Sequence, residues 1–295
     1  MSEPVRFCGL ELDHRVINAS GTFDAIAAQR VFGDEIVLRF PFAAFVSKTI
    51  TLEPRAGNPP PRLYEAPAGM INSIGLPNRG LLGYLEHDLP QLAALPVPLV
   101  TNVMGSTADE VARLVEAIDE RAEVAAIELN VSCPNVETGL DLGADPGLLG
   151  RLVDEVRPLT GKPLIVKLTP NTADVAAVAQ AAEAAGADAV SLINTLRAFA
   201  AHPDGSGRAW LGAGTGGLSG PAVRAVALAQ IAAVSARVEI PIVGMGGIAS
   251  GHHARQAIDA GATLVAVGTE SFRDPLAGTH VRLGLEALEH PRAAL

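Results

Sequence analysis

Short apolar runs of strand length recur along this chain, and each stops abruptly at small polar residues. They cover 15–17 (then Asn18, Ala19, Ser20, Gly21), 44–46 (then Ser47, Lys48, Thr49), 99–100 (then Thr101, Asn102), and 125–129 (then Asn130). The others are 164–166 (then Lys167), 189–193 (then Asn194, Thr195), 241–243 (then Gly244, Met245, Gly246, Gly247) and 264–267 (then Gly268, Thr269). Runs that are continuous rather than alternating suit a parallel sheet buried on both faces. Between them lie segments of helical period. Thr107-Ala108-Asp109-Glu110 reads as a capping box, and Asp145-Pro146, Gly220-Pro221 and Asp274-Pro275 read as helix starts. Gly186 and Gly261 each stand where a helix must end before the next strand.

Strand alternating with helix eight times predicts one α/β domain over 1–295, a (β/α)8 TIM barrel. A doubly wound open sheet is the rival. Against it, no G-x-G-x-x-G stands between the first strand and the first helix. Residues 5–12, turning at Cys8-Gly9, read as a short N-terminal hairpin over the barrel bottom. Residues 53–80 are a Pro- and Gly-rich insertion after the second strand, and a structureless loop of that length is usually functional.

Composition narrows the function. The 295 residues are 48% hydrophobic, enough for a large core, and carry a net charge of -10, so no overall field draws the chain to nucleic acid or to an acidic membrane. The first residues lack a basic and apolar leader, and no apolar run is long enough to cross a membrane, so a cytoplasmic protein is expected. Two cysteines, Cys8 and Cys133, make neither a disulfide framework nor a metal-ligand pattern, and no metal site is expected. Of 22 basic residues only Lys48, Lys162 and Lys167 are lysines. Where Arg is the default cation, a retained Lys can mark a need for a compact point charge.

Barrel enzymes place their chemistry at the carboxyl ends of the strands. Those ends supply Asn18, Asn102, Asn130 and Asn194 as amides, Lys48 and Lys167 as charges, and Ser20 and Cys133 as protic groups; Lys162 precedes its strand and reads as solvated. A polar break such as the one at Asn130 is by itself usually a turn. Its convergence with seven other strand ends favours a site, suited to a planar, heteroatom-rich, partly anionic ligand. The glycine-rich ends after the seventh and eighth strands are either tight turns or a phosphate cradle near a helix start at Ser250. Together these features fit a flavin mononucleotide better than a sugar phosphate. No histidine stands in a strand-end motif, so a Cys/His nucleophile is poorly supported, while a Cys133 base acting on a carbon acid stays open.

Several motifs carry a resemblance. Asn130-Val131-Ser132-Cys133-Pro134-Asn135 stands with Ser47-Lys48-Thr49, Leu52-Glu53-Pro54-Arg55-Ala56-Gly57-Asn58-Pro59, Asn72-Ser73-Ile74-Gly75-Leu76-Pro77-Asn78 and Gly217-Leu218-Ser219-Gly220-Pro221. The set, in this order and over nearly the whole chain, resembles class 1 dihydroorotate dehydrogenase. Ile193-Asn194-Thr195-Leu196 and Gly143-Ala144-Asp145-Pro146 look most like the class 1B, NAD-linked catalytic subunit. Residues 24–29 and 199–214 depart from that pattern.

The resemblance implies FMN across the barrel mouth, contacted by Ser20, Lys48, Thr49, Asn102, Asn130, Lys167 and Ile193, with its phosphate on Gly220, Gly246, Gly247, Gly268 and Thr269. It implies dihydroorotate stacked on the flavin and held by Lys48, Asn72, Ser73, Ile74, Gly75, Leu76, Asn130, Asn135, Asn194 and Thr195. Cys133 is then the base that takes the C5 proton while hydride leaves C6 for the flavin, giving orotate in pyrimidine (UMP) biosynthesis. The implied assembly is a homodimer core with a separate subunit carrying FAD and a [2Fe-2S] cluster, which passes electrons to NAD. The alternatives are a fumarate-dependent class 1A enzyme, a dihydropyrimidine-oxidising flavoprotein, and a silent scaffold.

Overall fold

The computed structural model describes residues 4–132 and 142–289. Each of the eight apolar runs is a strand: β1 (Val16–Asn18), β2 (Phe45–Val46), β3 (Leu99–Val103), β4 (Val124–Asn130), β5 (Leu164–Lys167), β6 (Ala189–Leu192), β7 (Ile242–Met245) and β8 (Leu264–Val267). They form one parallel sheet in the order β1-β8-β7-β6-β5-β4-β3-β2, so every strand but the first and last lies beside its chain neighbours. This is the expected (β/α)8 order. The curl brings β1 back to β2, where the Ala43 N–H donates to the Val16 carbonyl at 2.9 Å.

Alternation along each strand divides the core in two. Ile17, Val46, Val100, Ala126, Ile165, Ala189, Val243 and Leu264 fill the barrel interior together with Val5, Phe7 and Leu12 of the hairpin Val5–Phe7/Leu10–Leu12, which plugs the bottom as expected. Ile127 and Leu129 take the opposite parity and belong to the outer core with Val111, Leu114, Val115 and Ile118 of the helix Ala108–Asp119. That helix is capped by Thr107, whose hydroxyl accepts from the Glu110 N–H at 3.2 Å; the Glu110 carboxylate reaches back one residue further, to the Ser106 N–H. Asp145 and Ser250 cap the helices Pro146–Val156 and Gly251–Asp259. Gly186 (φ +93°) and Gly261 (φ +114°) take the left-handed conformation that ends their helices.

The insertion after β2 is more ordered than its Pro/Gly content suggests. Leu63–Ala66 and Gly69–Asn72 form a hairpin that joins Leu196–Phe199 and Thr215–Ser219 in a four-stranded antiparallel sheet. A lone hairpin is marginal in water. Two partners from a distant part of the chain, with a small core of Ile71, Ala200 and Leu211 backed by Trp210, make it hold. Long-range pairing of this kind leaves no local trace, and the expectation of a structureless loop is corrected accordingly.

Candidate active site

The barrel interior turns from apolar to polar toward the carboxyl ends of the strands. Asn102 on β3 stands in register with Glu128 on β4, and Asn130 on β4 with Lys167 on β5, which in turn faces Ser191 on β6. Asn102 and Ser191 have no exposure to solvent, and Glu128 and Lys167 are 3% and 5% exposed. Polar groups so deep must be paired. Asn102 Nδ2 donates to Glu128 Oε1 at 2.5 Å and the Ser191 hydroxyl to Glu128 Oε2 at 2.8 Å, while the Asn102 backbone N–H donates to Ser47 Oγ at 3.1 Å. Asn102 Oδ1 is buried with no partner among the described residues.

Both strand-end lysines reach this region. Lys48 lies across Gly21, where a Cβ would come within 2.8 Å of its Cδ and 3.0 Å of its Nζ; glycine at φ +71° leaves the space the lysine uses. Burial, and secondly the positive charge of Lys167, hold the Lys48 ammonium below the usual lysine range. Two neighbouring cations suit an anionic ligand. Lys48 also borders a side cleft of 610 Å³ with Phe23, Asp24, Arg79, Tyr84 and Asp88.

Around the rim, hydroxyls and amides form a chain across four strand ends. Ser20 Oγ lies 3.4 Å from Thr49 Oγ1, which accepts from Asn130 Nδ2 at 3.5 Å; Asn194 Nδ2 donates to Asn130 Oδ1 at 3.4 Å and to Ser132 Oγ at 2.8 Å. Asn194 Oδ1 then accepts from the Thr195 N–H at 2.9 Å. Thr195 crowds Gly217, whose carbonyl accepts from Asn72 Nδ2 at 3.3 Å. The four-stranded sheet thus carries Asn72 to the rim. Ser73, Ile74, Gly75 and Leu76 are tied to the insertion's own asparagines: Asn58 donates to Ser73 Oγ and to the Ile74 carbonyl, Gly75 packs on Asn58, and Asn78 donates to the Leu76 carbonyl.

The remaining glycines converge. A Cβ on Gly220 (φ +87°) would lie 3.0 Å from the Gly69 Cα and 3.5 Å from Thr269, one on Gly247 (φ +71°) 2.9 Å from the Gly220 carbonyl, and one on Gly246 3.2 Å from Ile193. Thr269 Oγ1 donates to Ser219 Oγ at 2.9 Å, which closes the ring of backbone. Gly268 sits beside Ala19 and Thr22. Side-chain-free backbone from two barrel strands and the hairpin tip is the kind of cradle a phosphate uses.

One mouth residue is reassigned. Asn18 is fully buried at the β1–β2 seam, with its amide spent on Val46, so it is structural. Cys133 and Asn135 lie outside the described residues. The chain leading to them is fixed by Asn130 Oδ1, which accepts from the Ser132 N–H at 3.2 Å. Glu128, Ser191 and Gly69 are the site-lining residues that sequence reasoning passed over. Glu128 had a signal: it shares the parity of Ala126 and Asn130, so a carboxylate was bound to face the barrel interior. Among the described residues no group of His, Cys, Asp or Glu is arranged to hold a metal ion, and no helix is long and apolar enough to cross a membrane.

Comparison with known proteins identifies the family. The family model for dihydroorotate dehydrogenase matches residues 3–288. Relatives named dihydroorotate dehydrogenase B (NAD(+)), catalytic subunit, include one from Pelobacter propionicus that is 46% identical over 283 residues, and one from Desulforudis audaxviator that is 45% identical over 286; each alignment covers 96% of this chain and 91% of the relative. A crystal structure of DHODH from Eimeria tenella, in complex with ferulenol, superposes with a TM-score of 0.79 at 22% identity over 98% of this chain and 85% of that one, which supports the barrel fold. A barrel whose sequence matches the family model over residues 3–288 and follows these relatives almost from end to end places this chain in the dihydroorotate dehydrogenase family.

Proposed function

We propose that this chain, as one FMN-binding domain, oxidises dihydroorotate to orotate in pyrimidine biosynthesis, and that it is the catalytic subunit of an NAD-linked enzyme. The observation that carries the reading is the pair Lys48 and Lys167, two of only three lysines in an acidic chain, both brought to one mouth in a protein of this family. The residues present fit an FMN. Asn102 Oδ1 is a buried acceptor without a partner among the described residues, and Gly69, Gly220, Gly246 and Gly247, packed closely beside Thr269, supply backbone suited to a phosphate.

When bound, the flavin supplies the acceptor for the hydride that leaves C6 of dihydroorotate. The chain does the rest. Ser20, Lys48, Thr49, Asn102, Asn130, Lys167 and Ile193 would hold the ring, and Gly268 lies next to the residues that would hold its phosphate. Lys48 balances the substrate carboxylate, while Asn72, Asn130, Asn135, Asn194 and Thr195 grip the pyrimidine amides, with the 73–76 segment folded beside them. Cys133 takes the C5 proton at its sulfur, so that loss of a proton and a hydride forms the C5–C6 double bond.

Two cysteines cannot bind an iron–sulfur cluster of the four-cysteine type, so electron transfer to NAD needs a second polypeptide, for which FAD and a [2Fe-2S] cluster are the expected cofactors. A homodimer of this chain in the cytoplasm is the expected core. Copurification tests the assembly: the complex is expected to reduce NAD with dihydroorotate, and the isolated chain to turn over fumarate poorly. Rapid fumarate turnover by the chain alone would move it to the class 1A type.

A further inference from the structure

Glu128 is a carboxylate inside a barrel, where an apolar side chain would avoid the cost of burying a charge. Its two hydrogen-bond partners, Asn102 and Ser191, are neutral donors, and it forms no ion pair among the described residues. A carboxylate that accepts at both oxygens leaves Asn102 no choice. Only the NH2 of that amide can face Glu128, so Oδ1 must face the other way. There it is buried and without a partner among the described residues, one position before the carboxyl end of β3, the end at which barrels place their sites. An unpaired buried acceptor is costly, and a donor on an incoming ligand removes that cost.

We propose that Glu128 is a positioning residue for the cofactor: through Asn102 it fixes an acceptor toward the mouth and thereby selects a ring edge that presents an N–H, such as the imide of a flavin. This rests on the flavin reading above. It also assigns a purpose to the short Asn102–Glu128 hydrogen bond, which would otherwise be an expensive way to fill a barrel. Neutral replacements differ in what they allow. In Glu128→Gln the new amide can still accept from Asn102 while donating to Ser191, or the pair can invert; in Glu128→Leu nothing orients Asn102 at all.

The test is a double-mutant cycle read on cofactor affinity, with FMN fluorescence quenching by the apo chain as the measurement and thermal unfolding of each apo variant as the folding control. Glu128→Leu is expected to weaken FMN binding by roughly 5- to 100-fold, the range for leaving one buried hydrogen bond unmade, with Glu128→Gln between it and the parent. In an Asn102→Ala background the further loss from Glu128→Leu should vanish, because Glu128 acts only through that amide. An undiminished loss in the Asn102→Ala background, or none in Glu128→Leu itself, overturns the proposal. If Glu128→Leu does not fold, Glu128→Gln with and without Asn102→Ala closes the same cycle. A parent chain that binds FMN and is reduced by dihydroorotate while the cycle is additive overturns only the role of Glu128; a parent chain that binds no FMN removes the flavin reading with it.

Discussion

The side chain of Asn18 joins β1 to Val46 of β2 where no strand ladder does. Its Nδ2 donates to the Val46 carbonyl and its Oδ1 accepts from the Val46 N–H, both at 2.8 Å, in a position with no solvent exposure. A barrel needs its first and last sheet strands joined, and here one amide stands in for a pair of backbone hydrogen bonds. Asn18→Ala leaves a buried donor and a buried acceptor unpaired, at roughly 1–3 kcal/mol each. Urea unfolding should show a loss of about 2–5 kcal/mol, and an unchanged midpoint would contradict the seam assignment.

The depressed pKa of Lys48 gives a pH signature. Burial first and Lys167 second disfavour its charged form, so ammonium is lost below the normal lysine range as pH rises. Orotate affinity is therefore expected to hold near neutrality and to fall on the alkaline side earlier than an ordinary lysine would allow. Lys167→Met removes one lowering influence and should move that fall to higher pH. Lys48→Ala should weaken orotate binding at neutral pH by about 10- to 100-fold, the worth of a charge-assisted contact. Isothermal titration across pH checks both.

The two cysteines should behave oppositely. Burial, with a smaller push from Asp188, raises the Cys8 thiol to about 12, so Cys8 should resist iodoacetamide at neutral pH and Cys8→Ser should leave turnover intact. Cys133→Ser should keep FMN bound yet slow its reduction by roughly two to four orders of magnitude, the usual cost of a lost general base. Stopped-flow reduction decides; equal losses in the two variants would mean the base was assigned to the wrong thiol.

Much of this was legible in the sequence because its signals are local. The eight strands read as apolar runs, since a sheet buried on both faces needs no alternation to be seen. Lys48, Lys167, Asn130 and Asn194 then followed from their place at strand ends. Asn18 did not, because an amide that bridges two strands looks, in sequence, like an amide that faces a ligand. The hairpin at 63–72 was missed since half its sheet comes from residues 196–219, and Glu128 since a single charge between Ile127 and Leu129 shows its partners only once the strands are placed in register.

The glycine cradle predicts a separation of binding from folding. At Gly247 the left-handed backbone and a Cβ 2.8 Å from the Arg224 Cβ leave no comfortable place for a methyl group. Gly247→Ala should lower FMN affinity about tenfold or more while the apo chain keeps its circular dichroism; tight FMN binding by this variant would argue that the turn is only structural.

At the barrel bottom, His14 links stability to acid. Burial, then Arg282, lowers its pKa from 6.5 to about 4, and its Nδ1 accepts from the Val16 N–H at 3.2 Å. A lowered histidine pKa means that its contribution is complete above about 6.5 and is lost as pH falls through about 4. His14→Asn keeps an acceptor without that titration, so its stability between pH 6.5 and 4 should fall less than the parent's.

The central claim is that this mouth removes a proton and a hydride from dihydroorotate. Anaerobic mixing of the FMN-loaded chain with dihydroorotate tests it most directly. The visible flavin band should bleach quickly with dihydroorotate and hardly at all with dihydrouracil, which has no carboxylate for Lys48. A purified chain that carries no flavin, or a bound flavin that stays oxidised in dihydroorotate, would contradict it.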